Sequence, residues 1–198
     1  MLFRSPVAGV LGNHDYESDK QDLAMQILSD AGVHILDGTH VIIHGVGFAG
    51  AKGFAGGFGR GALGAFGEPL IKEFVNAALD ETRKIENALR SLNTETKVVV
   101  LHYSPVIDTV LGEPETIFPF LGSSRMVEPI DTLGASVVFH GHAHHGALEG
   151  RTPTGIPVYN VAQPLLREAG LKVRLFHMNA PDRRQTENVN SGVTNVQP

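Results

Sequence analysis

The chain has 198 residues, 42% of them apolar and 19% charged, with a formal net charge of −5. That length supports one domain with a sizeable core, and the negative balance argues against non-specific binding to nucleic acid or an anionic membrane. Cysteine is absent, which excludes disulfides and thiolate metal sites, fits a reducing cytoplasm, and leaves any metal to His, Asn and carboxylates.

No apolar run approaches the ~20 residues of a membrane span, and no charged-then-apolar leader precedes Pro6. A soluble, cytoplasmic protein is expected. Pro6 to Leu11 is short and apolar and ends at Gly12, which predicts a buried strand. The polar cluster Gly12-Asn13-His14-Asp15-Tyr16-Glu17 follows at its C-terminal end, where open α/β sheets gather ligands. Ser18 or Asp19 can cap a helix from Asp19 to Ala31, with Leu23, Ile27 and Leu28 facing inward and Gly32 stopping it.

Val33 to Leu36 and Thr39 to Gly45 are predicted as strands joined by a hairpin across Asp37-Gly38. His34 and His40 are expected to be structural or exposed, while His44 ends its strand beside Gly45. Residues 45–67 hold ten glycines interleaved with Phe48, Phe54, Phe58 and Phe66. Each Gly costs roughly 0.5–1 kcal/mol in regular structure relative to Ala, so a loop is predicted. No Gly-Lys-Ser/Thr follows, which excludes a Walker-type phosphate loop. Long loops in compact domains are usually lids or binding loops.

Glu68 to Leu92 is the clearest helix, its apolar stripe running through Ile71, Phe74, Ala78, Ile85, Leu89 and Leu92. It is read as scaffold. Lys97 to Leu101 is a buried strand delivering His102-Tyr103-Ser104-Pro105. A short helix from Met126 to Leu133 precedes the apolar run Ala135 to Phe139, which delivers His140-Gly141-His142-Ala143-His144-His145-Gly146. His142 and His144 would point the same way on extended backbone. Ala147 to Glu149 and Ile156 to Val161 suit an antiparallel pair, and Leu171 to Met178 a further strand. The polar stretch from Ala180 is expected to be disordered, leaving residues 1–179 as a single domain and 180–198 as a tail.

Three clusters thus sit at the C-terminal ends of three apolar strands: Asn13-His14, His102, and His142 with His144. Parallel strands in one sheet would bring them to one edge. A donor set of Asn and His beside acids suits a divalent ion such as Mn, Fe or Zn. Gly12-Asn13-His14-Asp15, the lone His102 after a Val-rich strand, and Gly141-His142-Ala143-His144, in that order, resemble the calcineurin-like metallophosphoesterase family over Pro6 to Met178.

The resemblance implies a two-metal phosphoester hydrolase of α/β class, with two β-sheets packed face to face and flanked by helices. It implies Asn13, His102 and His142 as ligands of one metal and His144 as a ligand of the other. His14 would be the general acid that protonates the departing alkoxide. His140 matches no ligand position and is read as a packed strand residue, and His145 as a rim residue that touches substrate phosphate. The family's upstream Asp-x-His and Gly-Asp-x-x-Asp segments do not occur in this sequence. An N-terminally truncated domain is therefore expected, weak or inactive as a hydrolase, with an uncovered sheet edge available for self-association. The alternative is a non-enzymatic module of the same fold that binds a partner through the Gly/Phe-rich loop 45–67.

Overall fold

The computed structural model describes residues 5–177. It is an α/β structure with one six-stranded mixed sheet, a second sheet of two strands, and flanking helices. The small sheet comes first. Strand β1 (Val7–Gly9) pairs in parallel with β2 (Val33–Ile35), and helices α1 (Asn13–Tyr16) and α2 (Gln21–Asp30) connect them.

The large sheet holds β3 (Thr39–Ile43), β4 (Val46–Ala51), β5 (Lys97–Leu101), β6 (Val137–His140), β7 (Glu149–Arg151) and β8 (Pro157–Asn160), in the order β3-β4-β5-β6-β8-β7. The four central strands are mutually parallel, and the edge strands β3 and β7 run against them. Helix α3 (Pro69–Arg90) follows β4, and α4 (Phe118–Leu121) and α5 (Val127–Thr132) lie between β5 and β6. Helix α6 (Gln163–Glu168), which the sequence did not lead us to expect, follows β8. Val98 and Val99 of β5 and Val137 and Val138 of β6 are all buried. Continuous apolar runs of this kind mark parallel strands covered on both faces. Ile85 and Leu89 of α3 join Met126 and Ile130 in the same core, each large side chain contributing roughly 1.5–3 kcal/mol by burial.

Several expectations need correction. The predicted hairpin forms one strand later, because β3 pairs with β4 and not with β2. Its turn residues His44 and Gly45 have φ of 52° and 82°, the two left-handed residues of a type I′ turn. Asp37-Gly38 instead carries the chain from the small sheet to the large one. The glycine-rich stretch 45–67 is not a loop throughout, since β4 occupies its first third as an interior strand. Crowding on β4 accounts for glycine at position 50: a Cβ there would lie 2.7 Å from the Val100 carbonyl oxygen and 3.0 Å from both Leu36 Cβ and Val10 Cγ1. Glycine there admits the residues that follow β1 and β2.

Leu23, Ile27 and Leu28 of α2 do not face a core; they are 52%, 59% and 36% exposed. A two-stranded sheet is too narrow to cover the helix that joins its strands. Residues 171–177 form no strand, and Met178 and the tail 180–198 lie outside the described residues. The antiparallel pair after Gly146 forms as β7 and β8. Among the described residues, no helix is long and apolar enough to cross a membrane.

Candidate functional site

Parallel pairing sets the site. Register aligns Ala51 with Leu101 and Val100 with Phe139, so Lys52, His102 and the Gly141–Gly146 loop emerge side by side beyond the strand ends. Asn13 arrives from the small sheet. The Asn13 side-chain oxygen Oδ1 accepts from His102 Nε2 at 2.7 Å. The rings of His102 and His142 lie 4.8 Å apart, and Tyr103 packs against both, at 5.3 Å and 4.5 Å. His142 Nε2 donates to the Phe120 carbonyl at 3.2 Å. In a neutral imidazole that bond leaves Nδ1 with the free lone pair.

The structure thus brings together Asn13, His102 and His142. Among the described residues, no three His, Asp or Glu side chains gather around one point; the cluster counts an amide oxygen as its third donor. Burial, and then the neighbouring His142 and Lys52, push the His102 pKa down to about 3. Burial likewise lowers that of His142, against the hydrogen bond to Phe120. Neutral imidazole is the form that ligates metal.

His142 adopts left-handed backbone, with φ 68°, and Ala143 N–H turns back to the Gly141 carbonyl at 2.8 Å. The histidine loop is therefore not extended, and the expectation that His142 and His144 point the same way fails. A non-glycine residue held there costs on the order of 1–3 kcal/mol and persists where surrounding contacts enforce it. His144 and His145 are exposed, and the His145 N–H donates to Glu113 Oε1 at 2.7 Å. His14 is exposed on α1, its Nδ1 2.8 Å from Glu17 Oε1. Asp15 Oδ2 accepts from the Gly12 N–H at 2.7 Å, which folds the Gly12–Asp15 turn.

His140 is buried as expected, with Nδ1 2.8 Å from the Gly141 carbonyl and Nε2 2.7 Å from Thr109 Oγ1. Burial pulls its pKa down to about 4, although the bond to Gly141 opposes this. As a neutral ring it donates from Nδ1 and accepts the Thr109 hydroxyl at Nε2. His34 and His40 are exposed, also as expected.

Two supporting groups escaped the sequence reading. Asn160, at the end of β8, donates to the Ala143 carbonyl at 2.7 Å and accepts from the Ala162 N–H at 3.0 Å, so it braces the histidine loop from beneath. Its available signal was a polar residue closing an apolar strand. Lys52 is buried beside His102, its Nζ 5.1, 4.8 and 5.2 Å from the ring centres of Tyr16, Phe54 and Tyr103. Burial lowers its pKa, against the pull of Glu81.

Helix α3, as scaffold, ties down two segments around the site. Glu81 Oε2 accepts the Gly53 N–H at 2.8 Å, and Lys84 bridges Asp37 and Glu81 at 2.7 and 2.8 Å. Burial works against the Lys84 charge, but its two carboxylate partners raise its pKa overall.

No family model matches the chain, and no curated protein matches it. A solved crystal structure is similar over 78% of this chain and 56% of its own length, at 15% identity and a TM-score of 0.49. The chain thus spans about half the length of that structure.

Proposed function

We propose that this chain is a metal-dependent phosphoester hydrolase of the calcineurin-like metallophosphoesterase type, with that family's two-sheet sandwich as its frame. The observation that supports this most is the meeting of Asn13, His102 and His142. They come from three separate motifs and meet in side-chain contact at one sheet edge.

The donor set fits one divalent cation. Asn13 Oδ1, His102 and His142 are neutral donors suited to Mn, Fe or Zn, and a cation bound to the first two replaces their mutual hydrogen bond. When bound, such an ion polarises the phosphate oxygens and lowers the pKa of a coordinated water. The chain's own residues supply the rest. His14 holds a proton for the alkoxide oxygen that leaves as water forms the new P–O bond. Glu17, at His14 Nδ1, orients the ring with Nε2 free for that transfer. His145 stands at the rim to meet substrate phosphate.

The residues present do not fit a second ion. His144 is exposed and is the one ligand the motifs assign to it, and Asp15 and Asp37 are engaged by Gly12 and Lys84. Three neutral donors without an anion bind cations weakly, so the expected turnover is low.

Titration calorimetry with Mn tests the reading. One weak equivalent should bind, and His142→Ala or His102→Ala should abolish it. His14→Ala should retain Mn while losing the slow hydrolysis of an aryl phosphate. Failure of the wild type to bind any divalent ion, or unchanged binding in His142→Ala, sinks the proposal.

A further inference from the structure

Behind the histidine loop lies an apolar cleft of about 450 Å³, lined chiefly by Phe58, Gly61, Ile107, Leu111, Phe118 and Pro119. Its floor is the small core of Phe58, Val110, Leu121 and Ala143. Ala143 is fully buried and sits between the two histidines of Gly141-His142-Ala143-His144.

Chain segments next to the lining residues contact the same loop. Phe120, next to Pro119, offers its carbonyl to His142 Nε2 at 3.2 Å. Glu113, between the lining residues Leu111 and Glu115 in the chain, accepts the His145 N–H at 2.7 Å. There is also no room for a Cβ at Gly146 against the Thr109 carbonyl, where it would lie 2.1 Å away. The segment that lines the cleft at Phe118 and Pro119 is thereby tied to the loop that carries His142. The one charged group lining it is Glu115, which repels anions, so a phosphate belongs at the histidines and not here. Leu111 and Ile107, 53% and 44% exposed, stand at its mouth. Apolar clefts of this size typically take a small organic group.

We propose that this cleft is the subsite for the apolar leaving group of the substrate, an aryl or alkyl alcohol, which makes the chain selective for amphiphilic phosphoesters. This rests on the hydrolase reading above. Uniform interactions with a remote apolar group are the ordinary means by which such a subsite raises kcat/KM.

The test uses 1-naphthol as the probe for the cleft, followed by amide NMR shifts. Naphthol should saturably shift Phe58, Gly61, Leu111 and the underlying Ala143. Leu111→Asp or Ile107→Asp should weaken it roughly tenfold by placing a charge against the ring, while Leu111→Met should not. Both positions are exposed enough for the variants to fold. In Mn-supplemented turnover, 1-naphthyl phosphate should be preferred over methyl phosphate, and the Asp variants should lose roughly tenfold of that preference. Naphthol shifts confined to other regions, or equal binding by the Asp variants, overturn the subsite even where hydrolysis is intact. Naphthol seated in the cleft with neither ester hydrolysed overturns the hydrolase reading, and the leaving-group role with it.

Discussion

A methyl group placed on Gly12 would lie 2.9 Å from His102 Cε1 and 3.0 Å from its Nδ1. The backbone of Gly12 is ordinary extended chain, with φ −101°, so the conflict is purely steric. His102 is held by Asn13 on one side and Tyr103 on another, and it cannot retreat without parting from Asn13. Gly12→Ala is therefore expected to cost about 1–3 kcal/mol, as overpacking typically does, and to lower Mn affinity at least about tenfold. Thermal melts and Mn calorimetry on the variant check both; an alanine variant that binds Mn as the wild type does refutes the crowding. His142 shows the complementary case. Its left-handed backbone is enforced by the bond to Phe120 and by packing on Tyr103, so strain is located at the residue the proposed chemistry needs.

Among the elements, β6, β8 and the turn around Thr109 share one buried polar network. Ser104 and Thr109 hydroxyls lie 2.7 Å apart, Thr109 reaches His140, and Asn160 ties the network to the histidine loop. A proton on His140 Nε2 would face a Thr109 hydroxyl already donating to it. The consequence for stability has a definite sign. The folded pKa of His140, about 4, lies below its ordinary value, so the unfolded chain binds the proton more readily. Its contribution is fully present above about pH 6.5 and is lost as pH falls toward 4, on the order of 3 kcal/mol in all. His102, pushed to about 3, acts in the same direction. Urea unfolding of metal-free protein should show stability falling from pH 7 to pH 5, and His140→Asn should flatten that slope. A wild-type profile level over this range contradicts the burial of a neutral His140.

The same elements show what the sequence makes legible. Strands β5 and β6 could be read from their unbroken apolar runs, and with them the placement of His102 and His142 at one edge. Helix α3 was legible from its stripe. Strand β4 was not, because Gly50 is demanded by the Val100 carbonyl of β5 and by Leu36 and Val10, all distant in sequence, and a local window sees only loop composition. The bracing roles of Asn160, Lys52 and Glu81 were hidden for a related reason. Each depends on a partner far along the chain, as with Glu81 and Gly53, 28 residues apart. The apparent pairing of His142 with His144 failed because the enforced turn at His142 is invisible to a two-residue periodicity.

At the scale of the whole molecule, the two sheets are unequal and the smaller one leaves work undone. It presents Asn13 to the site, yet the helix joining its strands buries none of its residues. Leu23 and Ile27 lie one turn apart on α2 and are both more than half exposed, which places an apolar stripe beside a two-stranded sheet. Contiguous exposed apolar surface of this kind drives association. The protein is expected to self-associate with rising concentration in sedimentation velocity. The double variant Leu23→Glu/Ile27→Glu should shift it toward monomer while changing unfolding stability by no more than about 0.5 kcal/mol, as exposed substitutions do. A marked loss of stability would mean that the stripe is covered within the monomer. A wild type monomeric at every concentration would mean that the exposed stripe does not drive association. Because Asn13 belongs to the unit that α2 completes, the same variants test whether this surface steadies the site. Mn affinity that falls at low concentration in the wild type, and is uniformly low in the double variant, would show that association helps to hold Asn13 against His102.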